Sequence, residues 1–184
     1  TNICRPELTV ITRIGLDHCD WLGDTLAKIA GEKAGIIKRA VPVVVGRNDD
    51  EAIEVISDRA KALGAPFYYA PDLVDESEIP ADMTLKGGFN RENAQTAIAA
   101  LKVLGVGFDG IARAVWPGRF QRVGGFIVDG AHNPPAARAL VRSLEGGKVD
   151  LIAGFCGDKD SESVLRILSP YVRQGYAVEI ANPR

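Results

Sequence analysis

The chain has 184 residues, of which 46% are hydrophobic and 25% are charged, and its formal net charge is -2. This length is enough for one large or two small domains with a buried core. Acidic and basic residues are interspersed and no apolar run approaches the roughly 20 residues of a membrane span, so we expect neither a nucleic-acid nor a membrane partner. The cysteines Cys4, Cys19 and Cys156 are widely spaced, which is typical of reduced thiols in a cytoplasmic protein.

The first part of the chain alternates β-branched runs with helical apolar patterns. The pattern predicts strands at 8–12, 41–45 and 66–69. It also predicts amphipathic helices at 24–38 with Asp24 as the cap, at 49–63 and at 90–104. Residues 71–88 are acidic and contain Pro and Gly, and we expect a loop there with one short strand. This alternation predicts an α/β fold with a largely parallel sheet.

The run Trp-Pro-Gly-Arg-Phe at 116–120 interrupts the alternation and indicates a hinge, with a short helix before it at 110–115. After the hinge the pattern predicts strands at 126–129, 149–155 and 176–180, with helices at 134–144 and 161–173. A βαβαβ order is about half of a doubly wound domain. We therefore predict one domain at 1–116, a hinge at 117–122 and a second domain at 123–184. We expect further residues at both ends, because Thr1 is not Met and the second sheet is short.

Both histidines follow a predicted strand and lie beside an aspartate. His18 ends the sequence Gly-Leu-Asp-His, and His132 lies in Asp-Gly-Ala-His-Asn-Pro at 129–134. Ligands of open α/β sheets bind outside the carboxyl ends of the strands, so both histidines are candidates for a site. The competing interpretation is that these loops only cap the helices that follow them.

Lys33 lies seven residues after Leu26 and four after Ile29, on the apolar stripe of its predicted helix. A lysine on an inner face is costly unless it is paired, neutralised or modified. A neutral amine can add carbon dioxide and become a carbamate, whose oxygens suit Mg²⁺. The alternative is a lysine whose stem runs along the apolar stripe while its ammonium stays in water.

Several motifs occur in an order that resembles the folylpolyglutamate/dihydrofolate synthases of the Mur ligase superfamily. They are Ile-Gly-Leu-Asp-His-Cys-Asp-Trp-Leu-Gly at 14–23, Ile-Ala-Gly-Glu-Lys-Ala-Gly-Ile-Ile-Lys at 29–38, Asn-Arg-Glu-Asn at 90–93, Pro-Gly-Arg-Phe at 117–120 and the 129–134 motif. The resemblance covers essentially the whole chain. It implies part of a P-loop-type central domain followed by part of a Rossmann-like C-terminal domain.

The resemblance also implies roles for individual residues. His18 matches a magnesium-ligating histidine, and Lys33 matches a lysine that is carbamylated and helps to hold magnesium. Asn93 matches an asparagine that reads the adenine edge, and Arg119 an arginine that reaches the ATP phosphates. Asp129 matches an aspartate near the nucleotide ribose. His132 matches a catalytic residue that faces the phosphates.

The implied reaction joins L-glutamate to a folate or dihydropteroate carboxylate through an acyl phosphate, with ATP and Mg²⁺, in a monomeric cytoplasmic enzyme. The sequence contains no GxxxxGKS loop, so we expect the 184 residues alone to be inactive. The Gly-Gly-Phe-Asn run at 87–90 departs from the folate pattern towards peptidoglycan-precursor ligases. Two alternatives therefore stay open, another Mur-type amino-acid ligase and a non-catalytic binding module.

Overall fold

The computed structural model describes residues 3–15, 25–144, 146–157 and 159–180. The chain divides into two compact units, the first formed by 1–84 and 89–114 and the second by 85–88 and 115–184. Within the described ranges no helix is both long and apolar enough to cross a membrane. Cys4 and Cys156 are free thiols, as expected, whereas Cys19 lies outside the described residues.

The first unit contains a three-stranded parallel sheet in the order β1-β2-β3, as predicted. Its central strand is buried along its whole length because every residue from Val43 to Val45 has no exposed surface. Continuous apolar strands of this kind are typical of parallel sheets that are covered on both faces. The strands are β1 (Thr9–Ile11), β2 (Val43–Val45) and β3 (Phe67–Tyr69).

Two crossover helices connect these strands, α1 (Leu26–Ala34) and α2 (Asp50–Ala62). Their apolar faces meet in one cluster that includes Ile29 and Ile56. Helix α1 is capped by Thr25, whose hydroxyl accepts a hydrogen bond from the Lys28 backbone amide at 3.3 Å. The predicted cap, Asp24, lies outside the described residues. The helix also ends at Ala34 and not at the predicted residue 38, and turns follow it directly.

The segment after β3 is helical, so the short strand expected there was wrong. It contains the single-turn helix α3 (Ala70–Leu73) and a 3-10 helix (Glu76–Glu78). Asp75 accepts a hydrogen bond from the Ser77 amide, and Glu78 accepts one from the Asp75 amide, which closes a capping box.

Helix α4 (Gly88–Leu104) is the longest of the described helices, and a 3-10 turn at Ile111–Arg113 replaces the short helix predicted at 110–115. Its buried side includes Ala94 and Ile98, as the spacing predicts, together with the polar Gln95 and Thr96. Gln95 is satisfied there because its amide donates to the Val74 carbonyl at 2.9 Å.

The second unit begins with an antiparallel hairpin of β4 (Gln121–Val123) and β5 (Phe126–Val128). The predicted βαβαβ sheet is therefore wrong in its first member, because β5 pairs with β4. The reason is local, since Gly124 and Gly125 form a two-residue hairpin loop between Val123 and its partner Phe126.

The rest of the second unit is a βαβ arrangement covered by two helices on one side. Strands β6 (Val149–Ala153) and β7 (Val172–Ala177) pair in parallel, and the helices are α5 (Pro134–Ser143) and α6 (Ser161–Leu168). Helix α6 ends five residues before the prediction because Pro170 has no amide hydrogen to continue the ladder. Strand β7 accordingly starts at Val172, four residues earlier than predicted.

Candidate functional site

Strands β1 and β2 end side by side, with Ile11 paired to Val45. The buried side chain of Asn48 joins the segments that follow them. Its amide nitrogen donates to the Gly46 carbonyl at 2.9 Å and to the Thr12 carbonyl at 3.3 Å, and its oxygen accepts from the Ile14 amide at 2.7 Å. The carboxyl edge of this sheet, where ligands of α/β folds bind, is therefore held together by one amide group.

The first turns of α4 lie against the same edge. Arg13 donates from Nη1 to both carboxylate oxygens of Glu92 at 3.3 Å. One turn later, a Cβ added at Gly46 would lie 2.6 Å from Thr96 Oγ1, a distance that real contacts do not show. Glycine at position 46 therefore allows the helix to approach the end of β2.

Asn93 directly follows Glu92 and is exposed. Its side chain makes no hydrogen bond or ion pair to any residue that the structure describes. An amide that is free on both its carbonyl and its NH₂ side offers a donor and an acceptor in one plane, which is what recognition of an adenine edge requires. The predicted role of Asn93 is compatible with this position and stays a prediction.

Lys33 lies in the last turn of α1 and is exposed. The prediction that it faces the core was wrong. The buried residues of α1 are Ile29, Ala30 and Ala34, so the face that packs against the core does not include Lys33. Burial therefore gives no support to carbamylation of this lysine, which rests on the family motif.

His18, the other predicted magnesium ligand, lies outside the described residues. Among the residues that are described, no group of three or more His, Cys, Asp or Glu side chains is arranged to hold a metal ion. The pairing of His18 with Lys33 is therefore not tested, and both metal ligands stay predictions.

Arg119 is presented by a tight turn in the second unit. The Arg119 amide donates to the Trp116 carbonyl at 3.3 Å, Pro117 occupies the second position of the turn, and Gly118 takes a φ of 72°. This combination is that of a type II turn, which needs a positive φ at its third position. Arg119 is exposed, and its guanidinium makes no ion pair or hydrogen bond within the described part of the chain.

Asp129 links this turn to the loop that carries His132. One carboxylate oxygen accepts from the Phe120 amide at 2.7 Å and the other from the Ala131 amide at 2.9 Å. Phe120 is buried and has a positive φ of 47°, an unusual conformation for a side-chain-bearing residue that this hydrogen bond stabilises. The structure therefore shows Asp129 as a residue that orders two loops, and its predicted contact with a ribose is not tested.

His132 is exposed between the Asp129 loop and α5. Its Nδ1 lies 2.8 Å from the Gly130 carbonyl, and since a carbonyl only accepts, Nδ1 carries the hydrogen of this contact. In the neutral ring the lone pair is then on Nε2. Asn133 caps α5 by accepting from the Ala136 amide at 2.9 Å. The structure thus brings Arg119, Asp129 and His132 into one hydrogen-bonded pair of loops.

Comparisons with known proteins find relatives of the chain, although no protein-family profile matches it. The chain is 35% identical over 208 residues to the dihydrofolate synthase/folylpolyglutamate synthase of Escherichia coli, which covers 100% of this chain and 49% of that protein. The Bacillus subtilis protein of the same name is 31% identical over 204 residues, with 91% of this chain and 47% of that protein covered.

Solved structures give the same result. Escherichia coli FolC in complex with DHPP and ADP is similar to the chain with a TM-score of 0.83 at 33% identity, and the match covers 100% of this chain and 50% of that one. The chain belongs to the folylpolyglutamate/dihydrofolate synthase family. Mycobacterium tuberculosis folylpolyglutamate synthase complexed with ADP has a TM-score of 0.82 at 29% identity, with 100% and 49% covered. The chain spans about half the length of these relatives.

For this member of the folylpolyglutamate/dihydrofolate synthase family, the predicted α/β class and the predicted family are confirmed. Two features of the carboxyl edge were missed, namely the Asn48 amide and the Arg13–Glu92 pair. The available signal for Asn48 was a short polar residue after a buried strand and a glycine, which also predicts an ordinary turn.

Proposed function

We propose that the protein carrying this chain is an ATP-dependent, ADP-forming ligase that joins L-glutamate to the carboxylate of a folate or dihydropteroate. The relatives support this substrate class, since Escherichia coli FolC is described in complex with DHPP and ADP. A Mycobacterium tuberculosis relative is complexed with ADP and AMPPCP, and another family structure is an AMPPCP-folate complex.

The proposed reaction has two steps. A carboxylate oxygen of the folate attacks the γ-phosphorus of ATP and the bond to ADP breaks, which gives an acyl phosphate. The amino group of glutamate then attacks the acyl carbon, phosphate leaves, and an amine proton is lost. Phosphoryl transfer depends chiefly on positioning and on neutralising the phosphate charge.

The observation that carries the proposal is the exposed guanidinium of Arg119, which stands on a hydrogen-bonded turn and makes no ion pair with any described residue. A planar guanidinium matches phosphate oxygens bidentately, and a turn fixed by Pro117, by Gly118 and by Asp129 orients it in advance. We assign Arg119 to the ATP phosphates and the Nε2 side of His132 to the same phosphates. Asp129 is assigned to the vicinity of the ribose, in addition to its hydrogen bonds to the loops.

In the first unit we assign the amide of Asn93 to the adenine edge. We also propose that Mg²⁺ accompanies ATP, with His18 and carbamylated Lys33 as ligands, where it would neutralise phosphate charge. The described residues do not assemble a donor set for this ion. The intact mass of the protein at neutral pH, compared with acid, tests the carbamate because a carbamate is lost in acid.

The proposed domain arrangement follows the family. Residues 1–116 are the C-terminal portion of the ATP-binding central domain, 117–122 are an interdomain hinge, and 123–184 are part of a Rossmann-like ligase domain. We propose that the full-length enzyme is a cytoplasmic monomer, which size-exclusion chromatography with light scattering and a tagged copy in cells would test.

The test of function is ADP release by the full-length gene product, with folate or dihydropteroate, with and without L-glutamate. We expect release that needs both organic substrates, and Arg119→Ala should lower kcat/KM by about 10³-fold, the lower end of what a transition-state arginine contributes. Arg122→Ala is the matched control, because Arg122 is also exposed and unpaired in the described chain but lies on β4, past the turn. ADP release at the same rate with and without the pterin would contradict the proposal.

A second candidate is a Mur-type ligase with a peptidoglycan-precursor acceptor, which the Gly-Gly-Phe-Asn run at 87–90 favours. ADP release with a UDP-muramyl acceptor, and none with a pterin, would establish it.

A further inference from the structure

The carboxyl edge of the first sheet contains a buried amide that the proposed chemistry does not use. Asn48 is 9% exposed, and both its donor hydrogens and its oxygen are engaged with the backbone of the two strand-end segments. A carboxylate at this position would lose both donors, and an alkyl group would lose all three hydrogen bonds. The side chain is therefore matched to the task of joining these two segments.

The bonds of Asn48 fix the backbone on both sides of Arg13, at the Thr12 carbonyl and at the Ile14 amide. The Arg13 side chain leaves the edge between these two anchors and bonds both oxygens of Glu92. The residue Arg13 thus connects the buried amide to the first turns of α4, because hydrogen bonds hold the backbone on both sides of it and its own guanidinium.

A second contact lies one turn further along α4, at the close approach of Thr96 to Gly46. Residues four apart lie on the same helix face, so Glu92 and Thr96 set the rotation of α4 about its axis. Asn93, which follows Glu92 and is three residues before Thr96, is exposed.

We propose that Asn48 and Arg13 are positioning residues for nucleotide-base selection, because they fix the rotation of α4 and so orient the amide of Asn93 towards an adenine edge. This inference rests on the proposed function, in which Asn93 reads the adenine. Adenine presents a donor and an acceptor to an asparagine amide, whereas guanine presents two acceptors at the corresponding edge. A rotation of α4 about its axis should therefore weaken the binding of an adenine nucleotide more than the binding of a guanine nucleotide.

The experiment measures the binding of ADP and of GDP to the full-length protein by titration calorimetry, beside the melting temperature. For Arg13→Gln we expect ADP binding to weaken on the order of tenfold, with GDP binding and the melting temperature unchanged. Arg47→Gln is the matched control, since Arg47 is exposed and unpaired in the described chain and follows Gly46. Asn48→Asp should act in the same direction and also lower the melting temperature.

The exchanged pair Arg13→Glu with Glu92→Arg should recover most of the ADP affinity that either single exchange loses. Equal losses for ADP and GDP, or no rescue by the exchanged pair, would overturn the proposal, and so would a wild-type protein that binds neither nucleotide. If Asn48→Asp does not fold, the Arg13 variants carry the test. ADP-selective binding without glutamate-dependent ADP release would contradict the proposed ligase reaction and still support the positioning role.

Discussion

The two units are both built from βα segments, but they bury their sheets to different extents. In the first unit, β2 is fully buried and polar groups such as Asn48 and Gln95 are satisfied inside the fold. In the second unit, Ile152 of β6 and Tyr176 of β7 are each more than half exposed. The smaller core of the second unit is supplemented by hydrogen bonds that order its loops, above all those of Asp129.

The units also differ in charge. The first has 12 Lys and Arg against 17 Asp and Glu, and the second has 10 against 7. Several exposed arginines of the second unit, among them Arg119 and Arg122, make no ion pair within the described chain. A basic unit with ordered loops suits anionic groups such as phosphates. The first unit therefore has the more completely buried sheet, and the second has the excess of positive charge.

The largest expected effect tests the core of the first unit. Ile56→Ala removes a fully buried side chain from the α1–α2 cluster and should lower the free energy of unfolding by about 2–5 kcal/mol. Val10→Ala, at a partly exposed position of β1, is the control. Hydrogen exchange with mass spectrometry assigns the loss to each unit. If Leu168→Ala in the second unit lowers the free energy of unfolding by the same amount, the two cores are equally stable and the contrast between the two units is wrong.

The next largest expected effect on stability comes from the close approach of Thr96 to Gly46. Gly46→Ala forces a Cβ against Thr96 Oγ1, so we expect a loss of about 1–3 kcal/mol in a thermal or urea unfolding experiment. Thr96→Ala in the same chain removes the clashing atoms and should restore part of that loss. Additive effects of the two substitutions would show that the contact is not tight.

In the second unit, Asp129→Ala leaves the amide of the buried residue Phe120 without its acceptor. The expected cost is about 1–3 kcal/mol, with faster amide exchange concentrated at 118–131. Glu162→Ala, which removes an exposed partner of Arg166, is a control that should change little. Slow amide hydrogen exchange at Phe120 in the Asp129→Ala variant would show that the turn is ordered without the Asp129 carboxylate.

The smallest expected effect is on the stability of the protein in acid. The hydrogen bond from Lys102 holds the pKa of the Glu78 carboxyl below its usual 4.5, with help from the Asp75 backbone amide. A depressed pKa in the folded state gives stability that is present above 4.5 and is lost as the pH falls through the folded value. The difference in melting temperature between the wild type and Glu78→Gln should therefore shrink in acid. A difference that grows in acid would contradict the pairing.

Hydrophobic periodicity predicted most elements because it is a local signal, and β1 to β3, α2 and α5 lie close to their expected positions. The end of α6 depends on Pro170, whose effect on the hydrogen-bond ladder the apolar pattern does not record. Lys33 has the spacing of a core residue, yet it is exposed because a long side chain near a helix end reaches water. Asn48 was missed because its partners at Thr12 and Ile14 lie more than 30 residues away.

The roles of the candidate site residues stay predictions. Ordered motifs indicated the loops of Arg119, Asp129 and His132, and in the structure the Asp129 carboxylate joins these loops by accepting from the Phe120 and Ala131 amides. The sequence did not predict that Asp129 orders those loops, because that depends on the left-handed conformation of Phe120.

We propose that the protein carrying this chain adds glutamate to a pterin carboxylate. The most direct test of this proposal is mass spectrometry of the products formed by the full-length protein with ATP, Mg²⁺, L-glutamate and dihydropteroate or folate. We expect a pterin product that has gained one glutamyl residue, with one ADP formed for each bond. An unmodified pterin, with ADP formed or not, would contradict it.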